Sequence, residues 1–134
     1  MKISKKAQYG LRAMVFLAKK DKGSKKRQRV FSIREISNIE GIPFAFLSKI
    51  FSDLERANLV KAKHGMNGGY FLAKPAIKIT TADILLVLEK SKKLVNCASC
   101  KRTKNCSAKN VWDKLDAVIY KTLRKTTLQE LVTA

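Results

Sequence analysis

Cys97, Cys100 and Cys106 stand close together as C-x₂-C-x₅-C, in a stretch rich in Lys, Ser and Asn. Three soft thiolates converging from one loop suit zinc or an iron–sulfur cluster, because both need several sulfur ligands held within a few ångströms. The motif lacks a fourth ligand, and the single histidine, His64, lies far upstream of it. Lys101, Arg102, Lys104 and Lys109 surround it with positive charge, an environment that favours metal binding and also makes thiols sensitive to oxidants. The plainer alternative is three incidental cysteines on an exposed loop, which their density argues against. A catalytic cysteine would need a base, and no histidine lies in this part of the chain. Nor is there a phosphate-cradling glycine loop or a carboxylate pair.

The chain's 134 residues make one modest domain, or one domain with a small appendage, and exclude a large multi-domain enzyme. Lys and Arg number 29 against 10 Asp and Glu, a net charge of +19, which is the footprint of a polyanion binder. Charge alone leaves open a merely lysine-rich soluble protein; the pattern below decides for the polyanion. The apolar run from Ala13 to Ala18 is too short for a signal peptide, is preceded by Arg12 and has no small-residue cleavage site after it. No stretch reaches the length of a membrane span. The expectation is a cytoplasmic protein without membrane association, whose cysteines are reduced thiols or metal ligands rather than disulfides.

The organising stretch runs from Phe31 to Leu72. Ser32 and Glu35 form a capping box that starts a short helix through Glu40, Gly41 ends it, and Pro43 suits the first turn of a second helix. In that second helix Leu47, Ile50, Phe51 and Leu54 make the buried stripe. Ala45, Ser48, Lys49, Ser52 and Arg56 are left outside, small, hydroxylic or cationic, and fit to enter a major groove. Leu59 to Lys63 alternates as a strand and Tyr70-Phe71-Leu72 can pair back against it, with His64-Gly65-Met66-Asn67-Gly68-Gly69 as a glycine-rich tip. At that tip the glycines, Gly65, Gly68 and Gly69, permit positive φ and close approach to a partner, with His64 beside them and Lys63 flanking the groove-facing surface. This is a winged helix-turn-helix.

Ahead of it, Ser4 caps a helix to about Lys20, and a basic segment from Lys19 to Arg29 reads as a loop. Behind it, Thr80 or Thr81 caps a helix from about Ala82 to Lys90. From Ala108 to Leu123 the apolar residues Ala108, Val111, Trp112, Leu115, Val118, Ile119 and Leu123 recur at steps of three and four. Such a stripe needs a partner helix, and the spare core is small, so the same helix of a second subunit is expected to cover it. Thr127 to Glu130 forms a closing capping box. The fold expected is mainly α with a small β-wing: a DNA-binding winged helix-turn-helix over 1–79, then a cysteine loop and dimerisation helices over 80–134.

The opening Met1-Lys-Ile-Ser-Lys-Lys-Ala-Gln-Tyr-Gly-Leu-Arg-Ala, the block from Ser32 to Leu72 with its Gly-Gly-Tyr wing, the cysteine loop, Trp112 and the closing Thr127-Leu-Gln-Glu-Leu-Val together resemble the IscR/NsrR/CymR group of bacterial transcriptional regulators, the Rrf-two family. The resemblance covers essentially the whole chain. It implies a homodimer on a double-stranded DNA operator, sensing iron–sulfur status, nitric oxide or redox state through a [2Fe-2S] or [4Fe-4S] cluster on the three cysteines. Some relatives instead lack a cluster and answer to a protein partner. The family's base-contacting positions match Ala45, Ser48 and Lys49 here.

The match has departures. The IscR-like histidine ligand falls at Lys109, the aspartate that NsrR-like members borrow from a partner falls at Gln8, and Cys97 lies closer to Cys100 than the even spacing of IscR. Ser48 replaces a glutamate of IscR, and His64 replaces a wing arginine. Zinc, or no metal at all, stays open beside the cluster. A winged helix without sequence preference is the remaining alternative.

Overall fold

The computed structural model describes residues 1–21 and 29–134. Most of the basic segment expected as a loop between Lys19 and Arg29 therefore lies outside the described residues. Six helices and a two-stranded sheet follow in the order α1 (Lys5–Lys20), α2 (Ile33–Glu40), α3 (Phe44–Arg56), β1 (Val60–Lys63), β2 (Gly69–Leu72), α4 (Thr81–Leu88), α5 (Lys109–Lys125) and α6 (Leu128–Thr133). This is the mainly helical winged fold that the sequence pattern gives.

The helix starts follow local chemistry. The hydroxyls of Ser4, Ser32, Thr80 and Thr127 each accept a first-turn N–H, and Glu35 and Asp83 return the bond to complete capping boxes on α2 and α4. On α6 only the threonine half of the expected box is formed, by Glu130 N–H donating to Thr127. Gly41 ends α2 at φ 66°, a left-handed cap open to glycine at no steric cost. The helix after the wing stops at Leu88, two residues short of the expected Lys90.

One cluster of buried side chains joins α1 (Ala7, Ala13, Met14, Leu17), α2 (Ile36), α3 (Leu47, Ile50, Phe51, Leu54), the start of β1 (Val60), α4 (Ile84, Leu88) and α6 (Leu128). The expected α3 stripe is completely enclosed. The two strands pair antiparallel from Val60 opposite Leu72 to Lys63 opposite Gly69. A single bridge adds Phe31 as a third edge: Tyr70 N–H donates to the Phe31 carbonyl at 2.8 Å and Phe31 N–H returns to Tyr70 at 3.1 Å. Tyr70 then packs its ring on Phe51 at 4.8 Å.

That bridge explains Gly69. A Cβ there would lie 2.4 Å from the Phe31 carbonyl carbon, and one at Gly68 would lie 2.1 Å from the Lys63 carbonyl oxygen. These glycines are needed by contacts inside the chain. Of the tip glycines only Gly65, at φ 118°, uses the positive-φ freedom that the sequence reading assigned to the group.

Helix α3 is tied to α1 by charge as well as by packing. Lys6 Nζ donates to Asp53 Oδ2 at 2.5 Å, and Arg56 pairs with Asp53 Oδ1 one turn along. The Lys6 hydrogen bond, with the charges of Lys6 and Arg56, holds the Asp53 carboxyl below its ordinary 3.8 against the opposing effect of desolvation. A carboxylate depressed in the folded state contributes stability above its unfolded value and loses it as pH falls through the folded value. Denaturant unfolding followed down from about pH 5 to about pH 2 should therefore show a shallower acid decline for Asp53→Asn than for the parent chain. Parallel declines would mean that the ion pair adds nothing to the fold.

Candidate nucleic-acid interface and cysteine loop

On α3 the residues left outside the core form a ridge. Ala45, Lys49, Ser52 and Arg56 are spaced four, three and four apart, so they line up opposite the buried stripe, with half-buried Ser48 on their flank. Pro43 precedes the helix and no side chain caps it, which leaves first-turn N–H groups to meet an anion. Arg56 is occupied by Asp53. Among the described residues Lys49 has no ion-pair partner, and it is exposed, so it is the free cation of the ridge there.

The wing brings a second set of cations beside this ridge in the chain's order. Along β1, Val60 is buried while Lys61 and Lys63 alternate outward, exposed and without an ion-pair partner among the described residues. His64, Met66 and Asn67 stand exposed at the tip. Of the nearby anions, Asp53 pairs with Lys6 and Arg56, Glu35 accepts from the Ser32 backbone and Glu40 lies 3.8 Å from Arg12, while Glu55 of α3 stays exposed. The balance leaves a surface suited to phosphate. Lys61 was not singled out by sequence reasoning, although strand alternation places it on the same face as Lys63.

The cysteine loop joins α4 to α5. Cys97 opens a 3-10 turn and its carbonyl accepts Cys100 N–H at 3.1 Å; Cys106 accepts Lys109 N–H at 3.3 Å where α5 begins. Cys100 is exposed, Cys97 and Cys106 half-buried, and all three are free thiols. Among the described residues no three His, Cys, Asp or Glu side chains come together as a group able to hold a metal. The expected convergence of the thiols is thus absent from this arrangement.

The fourth position does not supply a donor. Lys109 Nζ is bound to Asp113 Oδ2 at 2.8 Å, a contact that raises the Lys109 pKa and lowers that of Asp113, so the ammonium keeps its proton and has no lone pair to give. Gln8, the other matched position, donates its amide to the Ile3 carbonyl at 2.7 Å. The donor types suit a cluster, but the arrangement of this loop does not fit one.

Helix α5 contains no buried residue. Val118 is 62% exposed and Val111 47%, with Leu115 and Ile119 also open. Among the described residues its hydrogen bonds to residues distant in the chain run from Asp116 onward: Leu94 N–H donates to Asp116 at 3.1 Å, the Tyr120 hydroxyl donates to the Lys92 carbonyl, and the Thr81 hydroxyl donates to the Leu123 carbonyl at 2.6 Å. No helix among the described residues is long and apolar enough to cross a membrane.

Comparison with known proteins places this geometry. A family model described as Rrf2, iron-dependent transcriptional regulator, matches residues 3–134. The structure of CymR (YrzC), the global cysteine regulator of B. subtilis, superposes with a TM-score of 0.81 at 30% identity, covering 99% of this chain and 97% of that one. IscR of T. potens gives 0.79 at 30% identity over 99% of this chain and 87% of its own. The oxidised form of CymR from Staphylococcus aureus gives 0.79 at 29% identity over 100% and 98%.

The unpaired lysines lead to a salt test. Affinity for duplex DNA should fall by a factor on the order of 10³–10⁵ between about 50 and 200 mM salt, as for roughly 6–10 phosphate contacts. Lys63→Ala should weaken all sequences alike, whereas Lys49→Ala or Ser48→Ala should change which sequence is preferred. Equal losses on specific and random duplexes for all three variants would remove the distinction between ridge and wing.

Proposed function

The chain belongs to the Rrf2 family of DNA-binding transcriptional regulators, which are not enzymes, and on that premise we propose that it acts as a homodimer recognising a two-fold operator sequence. The observation that carries the dimer is the uncovered apolar stripe of α5, since exposed patches of this kind mark an association surface. A two-fold pair of such helices buries both stripes at once and links two reading units. Two recognition helices on one duplex face read half-sites about one helical turn apart. In this reading Ala45, Ser48, Lys49, Ser52 and Arg56 face the major groove. Lys63, His64, Gly68 and Gly69 bring the wing to the backbone.

The cysteine loop is the sensing element of this proposal. As arranged, with no metal-holding group formed among the described residues and with the free thiol of Cys100 exposed, the loop suits direct thiol chemistry with an oxidant. The iron–sulfur reading is supported by the C-x₂-C-x₅-C donor set and by the family model's description as iron-dependent. It requires the loop to close and a fourth ligand other than Lys109. In either case a change between α4 and α5 alters the element that sets the spacing of the two reading heads, and shifts the population competent for DNA.

Two measurements test the parts separately. Leu115→Glu or Val118→Glu should give monomers in light scattering and weaken operator binding by the loss of linked half-sites; an unchanged dimer sinks the assembly. For the loop, anaerobically purified protein should be assayed for iron, sulfide, zinc and visible absorption. Operator binding of Cys97→Ala, Cys100→Ala and Cys106→Ala should then be compared with and without oxidant. Visible absorption with iron and sulfide selects the cluster, and oxidant-sensitive binding without metal selects the thiols. No metal together with unchanged oxidant response in all three variants removes the sensor.

A further inference from the structure

Phe44, the first residue of α3, is out of place for an aromatic side chain. Its spacing to Leu47 and Phe51 would carry it into the apolar stripe, yet those two are enclosed and Phe44 is 45% exposed. It precedes Ser48 by one turn and Ala45 by one residue, at the end of the recognition helix that enters a groove first. One neighbour is charged: the guanidinium carbon of Arg34, on α2, lies 5.0 Å from the ring centroid, within reach of a cation–π contact. Among the described residues Arg34 is exposed and has no carboxylate partner, so its N–H groups stay available to phosphate.

The major groove offers one apolar group to such a ring, the 5-methyl of thymine. The helix preceding the recognition helix crosses the DNA backbone, where the stacked guanidinium would meet a phosphate. Resting on the sequence-specific reading above, we propose that Phe44 is a specificity-determining residue that packs against a thymine methyl in each half-site. Arg34 is the positioning residue that holds the ring and anchors it to the adjacent phosphate. This accounts for an aromatic kept at the surface and for the two small neighbours, Ala45 and Ser48, that give it room.

The probe is the duplex enriched from a random library by the parent protein, resynthesised with deoxyuridine for thymine at one position of each half-site at a time. The parent should lose about fourfold in affinity per half-site at one such position, the value of burying one methyl group. Phe44→Ala should bind the thymine and uracil duplexes equally there, and Phe44→Leu should keep part of the preference. Thermal melts of both variants check that the surface change leaves the fold intact. Arg34→Gln should lower the slope of log affinity against log salt by about one contact. An enriched sequence on which the parent ignores every thymine methyl, or on which Phe44→Ala keeps the full preference, overturns the assignment of Phe44 alone. A library that yields no enriched sequence overturns the sequence-specific reading and this inference together.

Discussion

The close seating of α4 on α1 is the constraint on which the other contacts depend. Gly10 faces α4, and a Cβ at that position would lie 2.1 Å from Leu88 Cδ1. With Ala7 and Ala13 it makes a face of small side chains, all buried. Small residues let helix axes approach, and the gain is dense packing of the larger side chains around the contact. Leu88 seats there, Ile50 of α3 reaches the same spot, and Ser4 donates both its N–H and its hydroxyl to Glu89 at the end of α4. The first helix therefore fixes α3 and the support of the exposed α5 stripe relative to one body.

What was legible in the sequence is what local rules decide. Ser32 with Glu35, Gly41 and Pro43 mark a turn between two helices because capping and backbone freedom act over a few residues. The stripe at Leu47, Ile50, Phe51 and Leu54 was legible for the same kind of reason, a period fixed by helix geometry. The contacts that were not legible join distant segments. Nothing near Gly69 in the chain reveals that its Cβ would strike Phe31. The pairing of Thr80 with Thr127 likewise joins residues that no local pattern relates. Phe44 continues the same stripe by spacing, yet its 45% exposure is decided by which neighbour covers it, and no local pattern tells that. Cysteine spacing shows which donors are near in sequence and leaves their directions open, because the turns of the loop set those.

The distant contacts decide how the two ends of α5 differ. Thr81 is nearly enclosed, its N–H donates to the Thr126 carbonyl at 2.8 Å, and Leu128 N–H donates to Ile79 at 2.9 Å. The chain thus returns to the winged body as soon as α5 ends, and Leu128 enters the common core. The other end has no such hold. It starts at Lys109 without a side-chain cap, fed by a loop whose backbone bonds run mostly between its own residues.

A helix clamped at one end and loose at the other turns a local change into an angular one. The clamp, around Thr81, Leu123 and Leu128, belongs to the body that carries α3 and the wing. The loose end carries Val111 and Leu115 of the exposed stripe and follows directly on Cys106. A shift of the loop would therefore act on α5 where resistance is least and move the stripe against a clamp that is continuous with α3 and the wing. Lys109 and Asp113 form the one ion pair along this loose end among the described residues; Asp113 is exposed and Lys109 partly so, so solvent screens the pair and it adds little restraint. In the proposed dimer, thiols placed at the free end of the helix, rather than beside the clamp, would give their chemistry leverage over the separation of the two α3 helices.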